Sequence, residues 1–140
     1  MTLPTLTVRV AFATNPTDTP TYTDISSYVK SVQIRRGRNT ELDRTEAGTC
    51  TLVLANHDRR FDPSNTAGPY FGNILPTRRV SVTAVHGGST YALYDGFVDE
   101  WKQDYQGNNI SWTNVRCTDA FKLLNLRKLN TTFVQHLSSD

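Results

Sequence analysis

The 140-residue sequence has no long hydrophobic run, only two cysteines and almost no net charge. No segment approaches the roughly 18 apolar residues that a membrane-spanning helix requires, so no membrane span is expected. The first residues lack the basic start and apolar block of a secretory signal. The formal charge of +2 is too small to favour nucleic-acid binding. With 37% hydrophobic and 20% charged residues, the chain is expected to fold as one domain over residues 1–140.

Motifs of catalysis and metal binding are also missing. The chain has no GxSxG, no phosphate-binding loop, no HExxH and no CxxC. The histidines His57, His86 and His136 are too scattered for a zinc site. Asp95 and Asp99 would lie some 13 Å apart on a strand, at about 3.3 Å per residue, which is too far for a hydrolytic pair. We therefore expect no enzyme, no metal and no cofactor.

The two cysteines, Cys50 and Cys117, fall on different predicted strands. A disulfide requires those strands to face each other, which the sequence alone does not establish. The simpler interpretation, which we favour, is two small buried hydrophobic residues in a reducing cytosol.

What the sequence does have is a series of strand patterns separated by turn residues. Alternation with a two-residue period predicts strands at Leu6–Phe12, Val32–Arg35, Thr49–Leu54, Arg79–Val85, Thr90–Trp101 (one strand or two) and Ile110–Cys117. After Asp119 the period changes to that of a helix with an apolar stripe of Phe121, Leu123, Leu124 and Leu129. The predicted fold is mainly β, a β-sandwich or small barrel of about six to seven strands with one C-terminal α-helix.

This register predicts the core and the segments that close it. The residues expected to be buried in mutual contact are Val32, Ile34, Leu52, Leu54, Val80, Val82, Phe97 and Phe121. The loop from Ser64 to Pro76 should tuck Tyr70, Phe71, Ile74 and Leu75 under the sheet. Gly96, within a strand pattern, suggests a bulge or a close backbone approach.

A compact block of opposite charges follows the Thr49–Leu54 strand. Asp58, Arg59, Arg60, Phe61 and Asp62 precede Pro63, which cannot continue a strand ladder. We name residues 58–62 the charge knot. We predict that Phe61 plugs the edge of the core and that at least one arginine pairs with a carboxylate of the same domain.

A second charged segment lies between the second and third predicted strands. Residues 35–48, here called the arm, have no apolar period and are too long for a tight hairpin. The arm is either an interaction loop or an ordinary solvated hairpin. The candidate interface residues are Arg35, Arg36, Arg38, Glu41, Asp43, Arg44 and Glu46.

Several segments taken together resemble tail proteins of long-tailed bacteriophages. They are DISSYVKSVQIRRGR, ELDRTEAGTCTLVLANHDRRFDP, GPYFGNILPTRRVSV, LYDGFVDEW and VRCTDAFKLL. The sequence is similar in particular to minor tail proteins of phages that infect Gram-positive hosts and to the N-terminal part of baseplate hub proteins. Hub proteins continue well beyond this domain, so the chain is expected to be an N-terminal fragment or a short tail-tip or completion component.

The resemblance implies a fold, a location and partners. The fold would be tail-tube-like, with β-sheets of several subunits joined into a ring. The protein would be made in the bacterial cytoplasm and reside in the virion tail. It would contact other copies of itself and tail-tube, tape-measure or fibre proteins, and catalyse nothing. The interleaved charges of the arm fit a heterologous ring interface.

A binding module is the alternative. Trp101, Trp112 and Tyr105 could form a stacking surface for carbohydrate or protein on a β-sandwich. Trp101 and Trp112 flank one hairpin, and a cross-strand aromatic pair that stabilises the hairpin is the simpler explanation of these two residues.

Overall fold

The computed structural model describes residues 2–37, 46–121 and 124, and it is built from seven strands. All pairings are antiparallel, in one sheet of order β2-β1-β5-β6-β7-β4-β3. The predicted mainly β class is confirmed. The strands are β1 (Thr5–Ala11), β2 (Thr23–Asp24), β3 (Val29–Arg35), β4 (Thr49–Ala55), β5 (Arg79–His86), β6 (Ser89–Gln106) and β7 (Ile110–Asp119), with one 3₁₀ turn at Ser26–Tyr28.

The sheet curls so that its two ends approach each other. Val8 on β1 accepts a hydrogen bond from the Ile25 N–H (2.9 Å) and donates its own N–H to Ser26 Oγ (2.9 Å). The short segment that carries these two partners then leads directly into β3, at the opposite end of the strand order. A narrow groove lined by Leu6, Val8, Val29 and Val32 remains between β1 and β3. The concave face can therefore enclose a single core.

That core draws one stripe of residues from nearly every strand. Leu52 and Leu54 on β4 and Val80 and Val82 on β5 are fully buried in one cluster, as predicted. The register that put Leu52 and Leu54 inside is therefore confirmed, since a slip of one residue would have exposed both. Burial of this stripe is the main source of stability of the fold.

The predictions for three core residues on the strands need correction. Val32 and Ile34 pack against the cluster but are only partly buried, because β3 is the last strand of the sheet. Phe97 is buried but lies outside the cluster; it pairs with Arg79 while its neighbour Gly96 pairs with inward-facing Val80. Phe97 therefore points to the opposite face of the sheet.

Phe121 was predicted to be buried and is 44% exposed. It follows the end of β7, where the Asp119 carboxylate accepts its backbone N–H at 3.0 Å. The predicted C-terminal helix falls mainly on residues 122–123 and 125–140, which lie outside the described residues. Within the described part, no helix is long and apolar enough to cross a membrane.

Both long hairpins turn at residues with positive φ. Gly87 and Gly88 join β5 to β6 with φ of 58° and 79°, values that glycine adopts without steric cost. Asn108 and Asn109 join β6 to β7 with φ of 62° and 60°. Gly96 is a close backbone approach, since a Cβ there would lie 2.6 Å from the Thr118 carbonyl oxygen.

The two cysteines are free thiols in the core. Cys50 on β4 lies directly opposite Cys117 on β7, and both are buried. Burial raises the pKa of the Cys50 thiol to about 11. This matches the interpretation of Cys50 and Cys117 as small buried hydrophobic residues.

Candidate functional site

The charge knot begins from a buried asparagine that ends β4. Asn56 is fully buried, and its backbone N–H bonds to the Ser111 carbonyl at 2.8 Å. Its side-chain oxygen accepts the Phe61 N–H at 2.9 Å, which closes the loop back onto itself. Its side-chain amide donates to Gln103 Oε1 at 2.9 Å. Because Asn56 and Phe61 are fully buried, the loop has one strongly preferred conformation.

Gln103 on β6 completes this buried polar network. Its Nε2 donates to the Phe61 carbonyl at 2.6 Å, while its Oε1 also accepts from Thr113 Oγ1 at 2.7 Å. Sequence reasoning missed both Asn56 and Gln103. The sequence held no signal for Gln103, because its inward face depends on the register shift between Val98 and Glu100.

Phe61 is the apolar anchor of the knot. It is fully buried at the centre of an aromatic cluster, in the position predicted for it. Its ring lies 6.4 Å from Trp101 and 5.7 Å from Tyr70 in stacked geometry, and 5.6 Å from Tyr28 edge-on. Phe12 stacks on Tyr70 with ring centroids 4.0 Å apart. Such aromatic pairs add about 0.5–1.5 kcal/mol beyond the area they bury.

The loop after the knot contributes only part of what was predicted. Ile74 is buried and Tyr70 joins the aromatic cluster, but Phe71 and Leu75 are about half exposed. Leu75 contributes through its backbone instead, since its carbonyl accepts the Trp101 indole N–H at 2.9 Å.

Asp62 is the most heavily bonded carboxylate of the knot. Its side chain is 1% exposed and forms an ion pair with Arg59 at 2.7 Å. The Tyr105 hydroxyl donates to the same oxygen at 2.7 Å, and the Ser64 N–H donates to the other at 2.8 Å. Burial works to raise the pKa of Asp62, but these hydrogen bonds outweigh it and hold that pKa below its usual value of 3.8.

The other arginine of the knot pairs on the surface. Arg60 and Asp58 form an ion pair at 2.6 Å, and the hydrogen bond from Arg60 lowers the pKa of Asp58. The Arg60 guanidinium also lies 4.0 Å from the centroid of the Tyr28 ring. Both arginines therefore pair with carboxylates inside the domain, as predicted.

The arm connects two neighbouring strands at one end of the sheet. Its first residue, Arg35, pairs with Thr49 across β3 and β4, and Arg35, Arg36 and Glu46 are exposed. On the return side, the Gly48 N–H donates to the Asp119 carboxylate at 2.7 Å. The remaining predicted interface residues, Arg38, Glu41, Asp43 and Arg44, lie outside the described residues.

The three aromatic residues of the alternative hypothesis do not come together. Trp101 pairs with inward-facing Val115 and stacks on Phe61, whereas Trp112 pairs with Asp104 on the opposite face. Trp112 instead lies edge-on to His57, with ring centroids 5.4 Å apart. Trp101 and Trp112 are therefore not cross-strand neighbours, and of the three rings Tyr105 is exposed while Trp101 and Trp112 are half-buried.

Within residues 2–37, 46–121 and 124, no group of three or more metal-ligating side chains is found. Asp95, one of the carboxylates considered for hydrolysis, pairs with Arg79 at 3.1 Å. The other, Asp99, accepts a short hydrogen bond from the Thr118 hydroxyl. No protein-family model and no curated protein matches the chain.

Proposed function

We propose that this protein is a non-enzymatic structural component of a bacteriophage tail tip, which assembles into a ring that joins the tail tube to baseplate or fibre proteins. The proposal begins from the resemblance of five ordered segments to phage tail proteins. It includes a tail-tube-like form of the fold, in which the seven-stranded sheet of one subunit meets that of the next. The protein would then reside in the virion tail.

The observation that carries the proposal is the unpaired edge of β3, part of which faces β1 across the groove lined by Leu6, Val8, Val29 and Val32. Val29–Arg35 pairs with β4 on one side and is the last strand of the sheet on the other. Its outward side chains include Lys30, Gln33 and Arg35, all of them exposed. An edge strand offers unpaired backbone groups to another chain, and exposed charges along it, such as those of Lys30 and Arg35, disfavour unspecific pairing.

The arm extends this edge with charges of both signs. β3 runs directly into exposed Arg35 and Arg36, and the arm returns through exposed Glu46 to the anchored Gly48. The arm has one large apolar residue, Leu42, and no apolar period. Such a segment gains little from packing on its own domain, so partner contacts would offset the cost of ordering it. Opposite charges on one segment suit a heterologous contact, in which each subunit presents one patch to a different patch of its neighbour.

The charge knot supports assembly indirectly. Its ion pairs and buried amides are satisfied within the domain, and Phe61 is inside the core. This leaves the knot as a rigid support for the sheet, with the arm and the β3 edge as the candidate contact surfaces.

The test is assembly at high protein concentration, read by negative-stain imaging and mass photometry. We expect rings for the unmodified chain and monomers for the Arg35→Glu/Arg36→Glu variant. The matched control is Arg9→Glu/Lys102→Glu, which reverses two exposed charges on other strands and should still form rings. Monomers of the unmodified chain at every concentration, alone and with purified tail-tube protein, would reject the proposal.

A further inference from the structure

A cleft opens at the end of the sheet where the β6–β7 hairpin meets the charge knot. Its volume is about 330 Å³, at the lower end of the roughly 300–1,000 Å³ typical of small-ligand sites. Its walls include His57, Arg59, Tyr105, Asn108, Ile110 and Ser111.

Tyr105 presents an aromatic face that is both exposed and fixed in place. Its side chain is 59% exposed, yet its hydroxyl is held by the buried Asp62 carboxylate. Ile110, also exposed, extends the apolar surface from the other side of the hairpin turn. A rigid ring costs a ligand little entropy on binding, because its conformation is already set.

Polar groups with fixed positions surround this ring. Arg59 bonds Asp62 through Nε (2.9 Å) and Nη2 (2.7 Å), which leaves Nη1 outside those bonds. Arg59 has a φ of 55°, a left-handed conformation that is uncommon outside glycine and that can mark functional positions. The His57 Nδ1 atom contacts the Asn109 carbonyl at 3.2 Å, which fixes the imidazole at the rim.

Ser111 supplies an unused hydrogen-bonding group at the base of the cleft. The residue is 5% exposed, and its Oγ atom is buried without a hydrogen-bond partner in the described structure. A buried hydroxyl without a partner is costly and calls for an explanation. Because Ser111 lines the cleft, a bound ligand would be a partner for this hydroxyl.

The charge of the cleft selects among ligands. Its one guanidinium is already neutralised by Asp62 at 2.7 Å, so an anion would have to compete with a buried carboxylate. A ligand with an apolar ring face and several hydroxyl groups suits an aromatic face bordered by amide, imidazole and hydroxyl groups. We propose that this cleft binds a neutral sugar ring, stacked on Tyr105 and hydrogen-bonded at its rim. The site stands apart from the β3 edge and the arm, so it does not depend on ring assembly.

The test is a titration of the full chain with the methyl glycosides of glucose, galactose and N-acetylglucosamine, with inorganic phosphate as a separate arm. The readout is the shift of the backbone amide signals of Asn108, Asn109 and Ser111 in ¹H–¹⁵N spectra. We expect at least one glycoside to shift these signals and phosphate to leave them unchanged.

Three tyrosine variants separate stacking from structural effects. Tyr105→Ala should weaken glycoside binding about tenfold, the value of one aromatic contact. Tyr105→Phe keeps the ring and loses only the bond to Asp62, so its affinity should stay within about threefold. Tyr91→Ala removes a comparably exposed ring at the opposite end of β6 and should have no effect. Binding of phosphate alone, no shift with any glycoside, or equal binding by Tyr105→Ala would each overturn the proposal.

Discussion

β4 is flanked by two charged segments, of which only one contains a buried aromatic residue. Residues 35–48 precede it and residues 56–63 follow it, and both carry arginines and carboxylates in close succession. The segment that follows contains Phe61 and Asn56, both fully buried, and its charges pair with one another. The segment that precedes has no aromatic residue, and its described ends are exposed at Arg35, Arg36 and Glu46. One buried side chain, more than the charge pattern, separates a structural segment from a candidate contact surface.

Among the variants considered, the loss of the buried Phe61 ring should lower the stability of the domain most. We expect Phe61→Ala to lower the free energy of unfolding by about 3–5 kcal/mol, because it leaves a cavity in the aromatic cluster. Urea denaturation followed by tryptophan fluorescence measures this, since Trp101 lies against Phe61. Phe71→Ala, which truncates a half-exposed ring, is the control and should cost far less. Equal costs for the two variants would mean that Phe61 does not anchor the knot.

Removing the buried amide should have the next largest effect. Asn56→Ala leaves the buried Phe61 N–H without its partner, whereas Gln103 Oε1 keeps the bond from the Thr113 hydroxyl. Each buried group left unpaired costs about 1–3 kcal/mol. Asn15→Ala removes an exposed amide that bonds only Asp18 on the surface, and we expect a change within about 0.5 kcal/mol. Urea denaturation of both variants provides the comparison, and a stable Asn56→Ala protein would contradict the assigned network.

Loss of the Arg59–Asp62 ion pair should lower the free energy of unfolding by a smaller amount, and that amount should depend on pH. The folded pKa of Asp62 lies below its usual value of 3.8, so its contribution is complete above that pH and is lost as pH falls through the folded value. We expect Asp62→Asn to cost about 0.5–1.5 kcal/mol at neutral pH, because Arg59 is half exposed and an amide still accepts hydrogen bonds. In acid, the difference from the unmodified protein should shrink.

Unfolding free energies measured at neutral pH and near pH 3 test this sign. Asp104→Asn, at an exposed position of β6, serves as the control and should show no such convergence. A difference that grows in acid would mean that Asp62 is not stabilised as the carboxylate.

The arm should show the smallest effect on stability. Arg35→Glu/Arg36→Glu changes two exposed side chains, so the free energy of unfolding should stay within about 0.5 kcal/mol of the unmodified value. Thermal unfolding at low protein concentration, where rings would dissociate, measures the stability of the single subunit. A large loss of stability there would show that the arm is packed on its own domain, and the contrast with the knot would disappear.

The strands could be read from the sequence where the two-residue period is uninterrupted. Leu52 and Leu54 alternate cleanly, and their burial follows from that pattern alone. The period fails where an extra residue interrupts it, as between Val98 and Glu100 on β6, where the register with β7 shifts. This bulge turns Trp101 inward, against the face that counting from Val98 would give it. The same limit explains why Trp101 and Trp112 were wrongly paired.

The order of the strands in the sheet could not be predicted from the sequence either. Val32 and Ile34 have the pattern of core residues, but nothing in that pattern states that β3 is the edge of the sheet. The burial of Phe61 could be predicted from the sequence, because a single phenylalanine among charged residues is most stable when its ring is buried. The cleft at Tyr105 was harder, since it depends on a hairpin turn and a loop about 50 residues apart in the chain, between His57 and Asn109.

The facing residues Cys50 and Cys117 can be used to measure how often β4 and β7 separate. Both thiols are buried and held protonated, as burial raises the pKa of Cys50 to about 11 and that of Cys117 above its usual range. A thiol-specific reagent can therefore modify them only when the sheet between β4 and β7 separates. When reclosing is faster than modification, the labelling rate measures the population of the opened state. Subunits inside an assembled ring and free subunits could then be compared in one mixture, without denaturant and without any added label site.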